Sequence, residues 1–292
     1  STKARTASGG RATATSAPVS VTVANSGVST AGLQVAYNFD NGPVGTALVD
    51  SSGNFRTANL VGGSWTSGGR YGGAISLNGT NGEIDPPALG TFYKTGFTLE
   101  AWVYKQSSKL DAAVVGSWTS SQNGAMIWID HINGHYRLAL GGTFANYLDS
   151  GQTPAIGRWQ HVAATYDGTT ARIYIDGTLA ASSTFVGNVG DSNSSRIGAY
   201  GSSPGGFLDG LVDDVRIYSR ALSPAEIQTD MASRIQPDLT PPAVSAESPV
   251  DGKTGVNIGT KVTASFTRAL QPATVNGTTF VRMIDHPGQW SL

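Results

Sequence analysis

At 292 residues the chain has room for one large domain and a smaller companion. Its 19 Lys and Arg nearly balance 20 Asp and Glu, with no basic patch and no run of like charge, which argues against a nucleic-acid partner. No apolar run approaches the roughly 18 residues of a membrane-spanning helix, so membrane insertion is not expected. The absence of cysteine excludes disulfides and thiolate metal sites. Glycine is abundant, at 38 residues, and only 13 % of residues are charged; short alternating apolar segments between turn residues then predict an all-β sandwich or barrel.

Residues 1–27 read as a polar linker or tail around one alternating segment, Val19 to Val23. Ser1-Thr2-Lys3-Ala4-Arg5 is basic, but no apolar stretch follows it, so it is not a signal peptide. The Thr/Ser/Gly/Asn-rich composition predicts a fragment of a larger exported protein, placed extracellularly. The main domain is expected over residues 28–236. Its first strand alternates Val35, Tyr37 and Phe39 with Gln34, Ala36 and Asn38, and Asp50-Ser51-Ser52-Gly53-Asn54 is an oxygen-rich turn. Ala74 to Leu77 reads as a strand whose turn, Asn78 to Gly82, makes a hairpin with Glu83-Ile84. Further strands follow at Phe97–Tyr104, Ala112–Trp118, Ala125–Asp130, Tyr136–Leu140, Trp159–Tyr166, Ala171–Ile175 and Arg196–Tyr200. Asp176-Gly177 is the two-residue turn that right-twisted strands prefer. Trp102 and Trp159 are expected in the core.

The most informative stretch is Leu208 to Tyr218. With period 2, Leu211, Asp213, Val215 and Ile217 share one face, and Val212, Asp214, Arg216 and Tyr218 the other. Asp213 is then a lone carboxylate on an apolar face, costly unless a cation or several donors compensate it. Ser223-Pro224-Ala225-Glu226 follows as N-cap, first-turn proline and capping-box glutamate, predicting a helix to about Arg234.

The run Phe207 to Tyr218 with Arg220-Ala221-Leu222-Ser223 resembles the closing strand of laminin-G-like jelly rolls in the concanavalin A-like lectin/glucanase superfamily. Four further segments match in order: Tyr37 to Asp40 with Asp50 to Asn54, Phe97 to Val103, Trp159 to Gly168, and Ile173 to Gly177. The resemblance implies a two-sheet antiparallel jelly-roll sandwich with one short C-terminal helix. Thr15 to Val23, and separately Ala243 onward, are similar to bacterial immunoglobulin-like domains, so residues 237–292 are expected to form a partial Ig-like β module.

The same resemblance implies one structural Ca²⁺, held by Asp213 and Asp40 with Asp50 as a third member. Ca²⁺ takes six to eight hard oxygens, and turn carbonyls supply those that side chains do not. The alternative is that Asp213 bonds backbone amides or Arg216, and that Asp50 fixes its own turn. Glycoside hydrolases of this superfamily place their acids as Glu-x-Asp-x-x-Glu, and no such motif occurs: the jelly roll holds only Glu83 and Glu100, with Glu226 on the helix. His161 reads as structural, and His131 and His135 as exposed residues at a hairpin tip.

Sugar binding needs aromatic platforms flanked by amide or carboxylate edges. Trp118, Trp128, Tyr147 and Tyr200 are the candidate platforms, with Asp130, Asn146 and Asn123 as edges. The function expected is a non-catalytic polysaccharide-binding module with structural calcium, monomeric within a longer chain. The alternatives are an adhesion or spacer module and, third, a hydrolase or lyase with atypical catalytic residues.

Overall fold

The computed structural model describes residues 29–118, 123–141, 146–185, 189–192, 194–200, 205–236, 244–250, 253–255, 257 and 263–266. The expected strand at Val19 to Val23 and the segment after Phe266 lie outside these residues.

The chain runs through β1 (Leu33–Tyr37), β2 (Ala47–Leu48), β3 (Ala58–Val61), β4 (Ser64–Gly69), β5 (Gly72–Asn78) and β6 (Glu83–Asp85). It continues with β7 (Phe97–Lys105), β8 (Ala112–Trp118), β9 (Gly124–Ile129), β10 (Tyr136–Leu140), β11 (Tyr147–Asp149) and β12 (Trp159–Tyr166). Then come β13 (Thr170–Ile175), β14 (Thr178–Thr184), β15 (Ser195–Ile197), β16 (Asp209–Tyr218) and the helix α1 (Pro224–Ala232). A separate pair, β17 (Val244–Ser248) with β18 (Thr263–Phe266), is antiparallel and lies in the expected Ig-like region.

The first sixteen strands form two eight-stranded sheets. The first has the order β14-β13-β12-β7-β16-β5-β4, and β1 also pairs with β16. β5 and β1 share one edge of β16 end to end: β5 takes Asp209 to Val212 and β1 takes Val215 to Tyr218. The second sheet has the order β11-β10-β9-β8-β15-β6-β3-β2. This is the expected all-β sandwich, with one helix among the described residues.

Alternation fills the space between the sheets. Phe97, Leu99, Ala101 and Val103 of β7 and Val162, Ala164 and Tyr166 of β12 face inward. They meet Ile84, Val114, Ile127, Ile129, Leu138 and Ile197 of the second sheet. Each fully buried aliphatic side chain there contributes about 1.5–3 kcal/mol. The hairpins at Asp167 to Thr170 and at Asp176-Gly177 form as expected; Asp176 and Gly177 have φ of 47° and 73°, as a two-residue hairpin turn requires.

Two local expectations are corrected. Asn78 to Gly82 does not make a hairpin, because β5 belongs to the first sheet and β6 to the second. It is a corner between sheets, closed by Asn78 Oδ1, which accepts from the Thr80, Asn81 and Gly82 amides at 2.9, 3.0 and 3.1 Å. The second correction concerns β16. A β-bulge between Asp213 and Arg216, with Asp214 at φ 44°, shifts the side-chain phase by one residue. Val212, Val215 and Ile217 therefore face the core, while Asp213 stands opposite Trp102 and Arg216 opposite Glu100 on the outer face.

Helix α1 begins with the predicted capping box: the Ser223 side chain accepts from the Glu226 amide, and the Glu226 carboxylate accepts from the Ser223 amide at 2.8 Å. It covers part of the outer face of the first sheet, packing Leu222 and Ile227 against Tyr218, Tyr174 and Ala163.

Candidate functional site

Strands β8 to β11 carry a second set of side chains facing away from the core. Register pairs Ala113 with Trp128, Trp128 with Arg137, Arg137 with Asp149 and Ala139 with Tyr147, so these residues share one outer face. Arg137 is its centre and is only 4 % exposed. Its Nη1 lies 2.8 Å from Asp130 Oδ1, its Nε donates to Asp149 Oδ2 at 3.0 Å, and its guanidinium sits 3.9 Å over the Tyr147 ring. His135 Nδ1 lies 2.9 Å from Asp149 Oδ1, and the His131 ring packs on Trp128 at 5.7 Å. Burial pushes the Asp149 carboxyl up, but the Gly151 amide, His135, Arg137 and Asn133 outweigh it and hold it below the usual carboxylate range.

The candidate aromatics divide by accessibility. Tyr147 is 41 % exposed, whereas Trp128 and Trp118 are 1 % and 4 % exposed and pack with Met126, Ala113 and Ala139. A stacking platform needs an open ring face, so the two tryptophans support this surface from beneath. Tyr200 packs on the same cluster, and both its hydroxyl and the Trp128 indole N–H donate to Asp111 Oδ1, the latter at 3.2 Å. Asn146 is exposed beside Tyr147, its amide donating to the Gly141 carbonyl at 3.3 Å. Asn123 lies next to Gly190. Arg137, Asp149 and Asp111 were not picked out from the sequence. The alternation Arg137-Leu138-Ala139 and Tyr147-Leu148-Asp149 carries the signal for the first two; Asp111 is joined to the face only through tertiary contacts.

The expected calcium ligands separate as well. Asp50 is consumed by its own turn: Oδ1 accepts from the Ala36 and Ser52 amides at 2.9 Å each, and Oδ2 from Ser52 Oγ at 2.8 Å and the Arg56 amide at 3.0 Å. Asp40 and Asp213 instead meet across the Tyr71-Gly72-Gly73 turn. Asp213 Oδ2 accepts from the Tyr71 amide at 2.9 Å and Asp40 Oδ1 from the Gly73 amide at 3.1 Å. A Cβ on Gly72 would fall 2.3 Å from Asp40 Oδ1, so the turn leaves room for that carboxylate. Burial first, then the charges of Asp214 and Asp40, push the Asp213 carboxyl up to about 8. Among the described residues no three carboxylate or histidine groups converge as a full ligand set. Both Asp213 oxygens accept from backbone amides, Oδ1 from Asp214 at 2.7 Å and Oδ2 from Tyr71, as the alternative reading of this residue expected.

The laminin-G model of the concanavalin A-like lectin/glucanases superfamily matches residues 78–228. The chain belongs to this superfamily. Residues 238–290 match a bacterial Ig-like domain, and no curated protein matches the chain in sequence. Among solved structures, this laminin-G-like chain is similar to domain 4 of AbnA, a GH43 extracellular arabinanase from Geobacillus stearothermophilus solved with arabinotriose. The TM-score is 0.58 at 24 % identity, over 70 % of this chain and 99 % of that domain. It is also similar to a Trypanosoma rangeli sialidase, with TM-score 0.55 at 22 % identity over 70 % of this chain and 33 % of the sialidase. A third is the binding domain of Paraclostridial Mosquitocidal Protein 1, with TM-score 0.53 at 19 % identity over 68 % of this chain and 52 % of that one. At these identities the likeness is one of fold.

The laminin-G-like jelly roll also buries three acids on its α1 side, Glu100, Asp214 and Asp230. Glu100 is fully buried, with its carboxylate 3.6 Å from Arg216 Nη1 and 3.9 Å from His161 Nε2. Burial, then the Arg216 charge, push His161 down to about 3, so it stays neutral, as a structural histidine should. Trp102 and Trp159, expected in the core, instead lie on the outer face of the first sheet, where Trp102 stands opposite His161 and Asp213. Their neighbours Ala101 and Val103 take the inward positions. No helix among the described residues is long and apolar enough to cross a membrane.

Proposed function

We propose that this domain is a non-catalytic carbohydrate-binding module of an exported multi-domain bacterial protein. The observation that carries it is the Tyr147 ring, open on an edge strand and held by the Arg137 guanidinium, with Asp149 and Asn146 beside it and the fully buried Asp130 anchoring Arg137. An aromatic face covers the apolar side of a sugar ring, and fixed polar groups at its rim select orientation. Holding Tyr147 in place before binding lowers the ordering cost. The arabinotriose complex of the similar arabinanase domain supports this reading, as do that protein's extracellular setting and the Ig-like match. The acids of this face are paired to Arg137 and Glu100 is sealed from solvent, which favours binding over hydrolysis.

One Ca²⁺ bound by Asp40 and Asp213 would neutralise two carboxylates and tie the loop after β1 to β16. Its role is that of a staple. The test is a screen of the full chain against soluble glycans and insoluble polysaccharides, with calcium and again with chelator. The expected result is saturable binding to one glycan class, lost at least tenfold in Tyr147→Ala. A blank with the domain folded would sink the reading and leave the adhesion or spacer role.

A further inference from the structure

Helix α1 leaves part of the outer face of the first sheet uncovered. Beside its last turn lies an open cleft of about 430 Å³, lined by Arg70, Trp102, Arg158, Trp159, Asp176 and Met231. Five segments distant in sequence build it: the turn before β5, the middle of β7, the start of β12, the β13–β14 turn and the end of α1. They are fastened together. The Tyr71 hydroxyl donates to the Met231 carbonyl at 2.9 Å, Gln228 Nε2 donates to the Gly177 carbonyl at 3.4 Å, and Asp176 Oδ1 accepts from the His161 amide at 3.0 Å. The cleft is thus a preformed feature of the fold.

Its chemistry is specific. Arg70 is exposed and stacks 4.5 Å over the Trp102 ring and 4.8 Å over Tyr71, yet forms no ion pair among the described residues. Trp102 is 6 % exposed, and its indole N–H has no hydrogen-bond partner among the described residues. A buried donor of this kind calls for an acceptor. Trp159 is partly exposed and packs on Tyr104 with ring centroids 5.6 Å apart. Arg158 reaches Asp176 at 3.3 Å, but both side chains are well exposed, so the pair is weak and exchangeable.

These features select a ligand class. A purely apolar ligand would leave Arg70 and the indole N–H unmatched. A neutral sugar would use the rings and not the charge. A nucleic acid needs several phosphates matched by several cations, and here two arginines stand against one aspartate. A sugar bearing one carboxylate uses both the rings and the charge: an aromatic face for the ring, and a planar guanidinium that receives a carboxylate through two parallel hydrogen bonds. We propose that this cleft is a second saccharide site, separate from the Arg137–Tyr147 surface. It takes a hexuronate residue with the ring on Trp159 and the carboxylate on Arg70.

The test is titration of the ¹⁵N-labelled full chain with a galacturonate trisaccharide and, in parallel, with its neutral galactose counterpart. The six tryptophan indole N–H signals are assigned through single Trp→Phe variants. The acidic trisaccharide should shift the Trp102 and Trp159 signals, and the neutral one should not. Arg70→Gln should weaken binding at least tenfold while far-UV circular dichroism and the thermal midpoint stay in place, because Arg70 is exposed. Arg158→Gln should weaken it less. Tyr147→Ala should leave it unchanged, which keeps this site's result independent of the other surface. Equal binding of the neutral sugar, wild-type affinity in Arg70→Gln, or shifts confined to Trp118 and Trp128 would each overturn the proposal, as would no shift at millimolar ligand.

Discussion

The Tyr218 hydroxyl donates a 2.6 Å hydrogen bond to Asp230 Oδ2, fastening the last strand of the sandwich to the helix laid over it. Both residues are buried, at 0 % and 1 % exposure. Tyr218→Phe keeps the ring and removes the donor, leaving a buried carboxylate short of a partner. The expected cost is about 1–3 kcal/mol, read as a lower urea midpoint at unchanged slope.

Trp128 and Tyr147 are predicted to respond in opposite ways. Trp128→Ala empties a buried site and should cost about 3–5 kcal/mol of stability. Tyr147→Ala removes a partly exposed ring and should cost about 1 kcal/mol or less, while abolishing glycan retention. Chemical denaturation and a polysaccharide pull-down on the same two variants separate the roles. Equal stability losses would contradict the assignment.

Gly72 has φ of 91° and an Asp40 carboxylate where its Cβ would be. Gly72→Ala is therefore expected to destabilise by at least about 1 kcal/mol and to lower calcium affinity, as Asp213→Asn also should. Asp50→Asn should destabilise the turn without changing calcium affinity beyond that loss. Isothermal titration with Ca²⁺ checks all three. A calcium affinity that survives Asp213→Asn unchanged would remove Asp213 from the site.

The Arg220 guanidinium reaches Glu226 at 2.6 Å and, against the opposing effect of burial, draws its carboxyl from 4.5 down to about 2, with help from Ser223. A folded-state value below the unfolded one means that the contribution is present above pH 4.5 and is lost as pH falls through 2. Both side chains are about one third exposed, so solvent screening limits it to roughly 0.5–1 kcal/mol. The stability difference between wild type and Glu226→Gln should show that size at pH 7 and vanish near pH 2. A difference that does not change with pH would rule out the charge as its cause.

Local signals in the sequence located most of the framework. Alternation placed Phe97 to Val103 and Tyr136 to Leu140, Asp176-Gly177 gave its turn type, and Ser223 with Glu226 gave the helix start. What failed depended on partners distant in the chain. The bulge at Asp214 is one inserted residue, invisible to a period-2 count, and it moved Asp213 from the inner to the outer face. Asn78 closes a turn that looks the same locally whether the next strand joins its own sheet or the opposite one. Of the candidate aromatics, Trp128 and Tyr147 lie on one sheet face. Which of them stays open is set by Tyr200, Met126 and Arg137, and burial of that kind cannot be read from residue type. Trp102 and Trp159 were misplaced for the converse reason: a large apolar side chain on a central strand has two faces to choose from.

The hydrogen bonds at the two ends of the jelly roll decide how the domain can be excised and moved. Arg220 donates to Ser29 Oγ and to the Ala31 carbonyl, each at 2.8 Å. At the other end, the Ile235 amide donates to Asp214 Oδ2 at 2.9 Å and its carbonyl accepts from Asn38 at 3.3 Å. A recombinant cut placed where regular structure stops, after Ala232, would strip Asp214 of that donor, and a start at Leu33 would remove Ser29 and Ala31 from Arg220 and leave it held by Glu226. Keeping Ser29 to Ile235 together retains all four of these hydrogen bonds, so both ends of the sandwich stay tied to it through its own residues.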